Sequence, residues 1–94
     1  MKINFSKFGT TLTSRQAGRE ALAALQPSLA TIGKDEKIEI DFSGVITFSP
    51  SWGDEVITPL KTKFGERLIL KNTENPSVSA TLEMLDNIFT HQNN

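Results

Sequence analysis

The sequence predicts one small α/β domain, a mostly parallel or mixed sheet with helices packed mainly on one face. Three observations lead there. Segments of period-two hydrophobicity alternate with segments of helical period, in the order β-α-β-α-β-α. Such alternation implies parallel neighbours joined by right-handed crossovers. The chain has 94 residues, which one core accounts for, so 1–94 reads as a single domain. No internal repeat or low-complexity tract interrupts the pattern.

The elements follow in order. From Met1 to Phe8, Ile3 and Phe5 fall on one face and Lys2, Asn4 and Ser6 on the other, which predicts a strand that Gly9 and Thr10 end. Thr13 with Gln16 fits a capping box, and Leu12 is placed to staple it. From Arg15 onward Leu22, Leu25, Leu29 and Ile32 recur at helical steps, with Ala17, Ala21 and Ala24 beside them. Pro27 predicts a kink or a new short turn, and Gly33 the end of the segment. Ile38, Ile40 and Phe42 then alternate with Glu39 and Asp41, a strand with one covered face and both carboxylates solvated.

Ser43-Gly44 turns the chain towards Val45, Ile46 and Phe48. Ser49-Pro50 is a helix opening, Ser as N-cap and Pro at the first helical position. Ser51 with Asp54 offers a second capping register. Trp52, Val56, Leu60 and Phe64 recur every fourth residue beside Ile57, Pro59 weakens the second half, and Gly65 closes the helix. Arg67 to Lys71 reads as a short buried strand. Asn75-Pro76 repeats the cap-then-Pro opening, and Val78, Leu82, Leu85 and Phe89 stripe the last helix. Residues 90–94 read as a polar tail that frays.

Composition removes whole classes of function. Ten Lys and Arg stand against 11 Asp and Glu, a net charge of -1, so phosphate-driven nucleic-acid binding is not expected. The cluster Lys61, Lys63, Arg67 and Lys71 is diluted by Asp54, Glu55 and Glu66. With no Cys there are no disulfides, thiolate zinc sites or thiol nucleophiles. The single His, His91, lies in the tail, which leaves neither a Ser-His-Asp arrangement nor a zinc site. Asp54 and Glu55 are adjacent helix positions, about 100° apart, and do not pair on one face. Glycine-rich phosphate loops are absent. No catalytic residue, metal or cofactor is therefore expected. No apolar run approaches a membrane span and no leader is visible, so the expected compartment is the cytoplasm.

One region remains. Partners of parallel sheets meet the carboxyl ends of the strands. Two segments arrive there, Thr10 to Arg15 and Ser49 to Glu55. The hydroxyls of Ser49 and Ser51 either cap the helix or contact a partner. Free N–H groups at such a helix start favour an anionic group or a phosphorylated hydroxyl. Trp52 is either core or an anchor for a partner.

The same run carries a resemblance. Leu12-Thr13-Ser14-Arg15, and Ile40-Asp41-Phe42-Ser43-Gly44-Val45 followed by Ser49-Pro50-Ser51-Trp52-Gly53-Asp54-Glu55, resemble the STAS-like α/β domains of unknown function, relatives of the anti-sigma-factor antagonists. The likeness covers nearly the whole chain. It implies a small bacterial regulatory module of STAS-like fold. In the antagonists a Ser at this helix start is phosphorylated by a partner kinase of the histidine-kinase-like ATPase fold. A doubly charged group in a packed interface is costly, so the phosphate breaks the complex. This chain departs from that pattern. Pro50 stands at the phosphorylated position, Ser49 where the acid would be, and Ser51 matches the second Ser. The resemblance thus leaves Ser51 as first and Ser49 as second candidate for phosphorylation. Arg15 and the Asp54-Glu55 pair recur in the STAS-like pattern. Arg15 either meets a partner's phosphate or pairs with Asp54 or Glu55 to hold two helix starts together. The expectation is a non-enzymatic module that binds a protein partner through Ser14, Arg15, Ser49, Ser51, Trp52, Asp54 and Glu55. The alternative is a nucleotide or small-anion site at the same helix N-termini.

Overall fold

A computed structural model describes residues 1–92, and the side chains of residues 1–88. Strands β1 (Lys2–Asn4), β3 (Ile38–Asp41) and β5 (Leu68–Lys71) form a parallel sheet in the order β1-β3-β5. A second, two-stranded parallel ladder joins β2 (Thr11–Leu12) to β4 (Thr47–Phe48). Helices α1 (Arg15–Leu29), α2 (Pro50–Phe64) and α3 (Pro76–Gln92) complete the chain, with α2 packed between α1 and α3. The fold class is the α/β one that the alternation predicts.

Register explains the one-sided core. Ile3, Ile40 and Leu70 lie in one row, and Lys2, Glu39 and Ile69 in the next, on the opposite face. Ile3, Ile38 and Ile40 are buried, while Lys2 and Asn4 are exposed. Above the inner face Phe5, Phe42, Phe48 and Trp52 meet edge-to-face, with ring centroids 5.1–5.8 Å apart, the favoured aromatic geometry. Trp52, Val56, Leu60 and Phe64 are all buried, as the every-fourth-residue stripe predicts.

Several elements differ from expectation. The first strand stops at Asn4, because the Asn4 side chain accepts the Ser6 N–H at 2.9 Å and starts a 3-10 turn over Phe5–Phe8. Phe5 is nevertheless fully buried. The cap of α1 is Ser14 rather than Thr13, its hydroxyl accepting the Ala17 N–H at 3.0 Å. Pro27 and Pro59 sit inside continuous helices. Buried Leu25 and Leu29 flank Pro27, and buried Ile57 and Leu60 flank Pro59, and tertiary packing outweighs local propensity. Helix α1 ends at Leu29, capped by Ala30, and not at Gly33. Strand β5 is half-buried rather than buried, because it lies at the sheet edge. Helix α3 runs to Gln92, into the segment expected to be tail. The side chains of Phe89 and His91, and residues 93–94, lie outside the described residues. Among the described residues no helix is long and apolar enough to cross a membrane.

Candidate functional site

The short β2–β4 ladder brings the starts of α1 and α2 together. Leu12 lies opposite Phe48 in that ladder. Immediately beyond, the Ser49 N–H donates to the Leu12 carbonyl at 3.0 Å. The Ser49 hydroxyl donates to the Thr13 carbonyl at 2.6 Å and accepts the Trp52 N–H at 3.3 Å. Ser49 thus caps α2 and ties it to the residue before the Ser14 cap. Both hydrogen-bonding roles of its hydroxyl are taken, so phosphorylating Ser49 would break the junction. Pro50 at the first helical position has no N–H to satisfy.

The two helices then run very close. A Cβ on Gly18 would lie 2.9 Å from the Trp52 carbonyl oxygen and 3.0 Å from the Glu55 Cβ. This contact sets Arg15 and Arg19, one turn apart, against Asp54 and Glu55. The Arg15 guanidinium donates to Asp54 Oδ2 at 3.1 Å and to Glu55 Oε1 at 2.9 Å. Arg19 Nε donates to the same Glu55 oxygen at 3.4 Å. The Arg15 hydrogen bond holds the Glu55 carboxyl below its ordinary range, and Glu55 followed by Asp54 raises Arg15. Asp54 also accepts the Thr58 hydroxyl at 2.9 Å. Two cations and two anions make the cluster neutral, so it offers no excess positive charge to a free anion.

The expected site residues separate into two groups. Ser14, Arg15, Ser49, Ser51, Asp54 and Glu55 come together at the adjoining helix starts. Trp52 does not belong with them. It is 1 % exposed and packs in the aromatic core, which corrects its reading as a partner anchor. Ser51 is half-buried, and its hydroxyl has no hydrogen-bond partner among the described residues. It lies three positions before Asp54 and four before Glu55, so it neighbours each of them one turn along α2.

Sequence reasoning missed three features. Arg19 joins the ion cluster, a contact readable only once α1 is laid against α2. Asp41 is buried rather than solvated, at 9 % exposure. Its Oδ1 accepts the Ser43 N–H and the Asn72 side-chain N–H, both at 2.8 Å. Those bonds, Asn72 first, lower its pKa. Asn72 has φ 56°, a left-handed conformation that Asn tolerates better than most residues. Third, Ser77 and Thr81 of α3 seal β4. The Phe48 N–H donates to the Ser77 hydroxyl at 2.9 Å, and the Phe48 carbonyl accepts from Ser77 at 3.2 Å and Thr81 at 2.6 Å. No group of three or more His, Asp or Glu suited to a metal occurs among the described residues.

A family model described as a STAS-like domain of unknown function (DUF4325) matches residues 22–78, more than half of the chain. The matched stretch contains the whole α2 start but neither Ser14 nor Arg15. No curated protein and no solved structure matches significantly.

Proposed function

The chain belongs to this family of STAS-like domains, and from that premise we propose that it is a non-enzymatic regulatory module that docks a protein partner through the adjoining starts of α1 and α2. The observation that carries the reading is the Arg15–Asp54–Glu55–Arg19 cluster, its arginines exposed and its carboxylates half-buried, placed beside Ser51, whose hydroxyl has no hydrogen-bond partner among the described residues. Exposed ion pairs of this kind add only about 0–1 kcal/mol to a fold, so stability alone is a weak reason for four charges here. A protein partner can exchange its own charged groups with such a cluster, which favours matching over raw affinity. The neutrality of the cluster weighs against the nucleotide or small-anion alternative.

The proposed partner is a kinase of the histidine-kinase-like ATPase fold, by likeness to the anti-sigma-factor antagonists, and the proposed switch is Ser51. A phosphate there would sit one turn from Asp54 and Glu55 and repel them, while attracting Arg15 away from them. The test is capture from native-host lysate by wild type, Ser51→Ala, Ser51→Glu and Arg15→Ala, each checked for folding by circular dichroism. The expected result is one ATPase retained by wild type and Ser51→Ala, and reduced at least tenfold by the other two. Identical protein sets for all four folded variants would refute the docking face.

A further inference from the structure

We propose a second docking surface, the open edge of β5, which accepts an extended peptide strand from a partner protein as a fourth strand of the main sheet. Strand β5 ends the order β1-β3-β5, so one side of its backbone is unpaired within the described sheet. The Phe42 N–H donates to the Lys71 carbonyl at 3.0 Å, which points Lys71, and by alternation Ile69, towards β3. The N–H and C=O of Leu70 and the C=O of Leu68 therefore point outward, available to an added strand, while the Leu68 N–H donates to the Gly65 carbonyl and closes the 3-10 turn Gly65–Arg67 before β5.

The side chains agree with the backbone. Leu68, Ile69 and Leu70 are only half-buried. On the inner face a groove of about 190 Å³ is lined by Leu68, Leu70, Gly65, Lys61 and Asp86. It lies where the inward side chains of a neighbouring strand would sit. On the outer face Ile69 and the exposed Lys71 would flank the alternate side chains of that strand. Lys71 makes no ion pair among the described residues: its register partner Asp41 accepts from Ser43 and Asn72 instead, and the rest of β5 is apolar. The matching occupant has apolar residues beside Leu68 and Leu70 and an acidic residue beside Lys71. A second copy fits poorly. Antiparallel pairing centred on Leu70 sets Ile69 of each chain opposite Lys71 of the other, and centring on Ile69 brings Lys71 against Arg67, the last residue of the 3-10 turn Gly65–Arg67. Neither an apolar side chain nor a second cation matches the Lys71 charge. This surface lies apart from the α1–α2 cluster and does not depend on it.

The test pans a random displayed-peptide library against the full chain and against Lys71→Glu. Synthetic peptides of the enriched sequence are then followed by residue-resolved amide exchange. The expected result is enrichment of alternating apolar peptides carrying an acidic residue, with that preference turned to a basic residue by Lys71→Glu. Peptide addition should slow exchange of the Leu70 amide at least tenfold, and Arg15→Ala should bind the same peptides as wild type. Unslowed exchange at Leu70, an unchanged consensus with Lys71→Glu, or concentration-dependent self-pairing through Leu70 would each overturn the proposal.

Discussion

Replacing Gly18 by Ala adds one methyl group at the tightest point between α1 and α2. The new Cβ would stand 2.9 Å from the Trp52 carbonyl oxygen and 3.2 Å from the Trp52 Cα. Both are backbone atoms of a helix anchored by a buried tryptophan, so neither can turn aside. Overpacking of this kind costs roughly 1–3 kcal/mol, and the rigid neighbours place Gly18 at the upper end. Ala is the better helix former by about 1 kcal/mol. The net expectation is a loss of about 2 kcal/mol. For a domain of this size each kcal/mol moves Tm by about 4–8 °C, so the melting temperature should fall by roughly 8–16 °C. Calorimetry together with urea unfolding measures it. Gly53→Ala is the control. There the added Cβ would lie 2.8 Å from Leu85 Cδ1 and 3.1 Å from the Phe48 ring, side-chain atoms that can shift, so its loss should be smaller. A Gly18→Ala protein as stable as wild type, or a Gly53→Ala protein that loses more, would refute the claim that backbone contact fixes the helix spacing.

Two other perturbations follow from the same geometry. Ser49→Ala removes the α2 cap and the bond to Thr13, and should cost about 1–2 kcal/mol by urea unfolding, against a negligible change for Ser51→Ala. Asp41 and Glu55 both titrate below the ordinary carboxylate range in the folded chain. Their stabilisation is therefore present above that range and is lost as pH falls through the depressed values. Asn72→Ala should raise the Asp41 pKa, observed by carboxyl-carbon NMR titration, and shift acid unfolding to higher pH. An unmoved Asp41 titration would show that the Asn72 bond is not what lowers it.

The legible parts of this chain are those where one local signal governs. Ser49-Pro50 marks the α2 start by cap chemistry, and the Trp52–Phe64 stripe marks its buried face. The alternation of Ile38, Ile40 and Phe42 marks the central strand in the same way. What was not legible depends on residues distant in sequence. Strands β2 and β4 are two residues each, too short for any periodicity, and exist because they pair with one another. Asp41 reads as a solvated carboxylate until Asn72, 31 positions later, is brought beside it. Phe5 continues the period-two pattern perfectly well, yet the Asn4 side chain diverts the backbone. The two interior prolines mislead in the opposite direction, since their local penalty is outweighed by the buried aliphatic residues that flank them. At the candidate site the sequence singles out the two helix starts that the fold sets side by side but leaves Trp52 open between two roles. Only packing decides between them.

The sealing of β4 by Ser77 and Thr81 makes α3 a mechanical participant in the α1–α2 junction. Phe48, held through both its amide groups by those hydroxyls, is followed directly by Ser49, which caps α2 and grips Thr13. Helix α3 and the α1 start are thus two ends of one short tether, with a single peptide bond at its middle. A ligand or mutation that lifts the first two turns of α3, Ser77 and Thr81 together, would release Phe48, slacken Ser49, and loosen the proposed docking face without touching any residue on it.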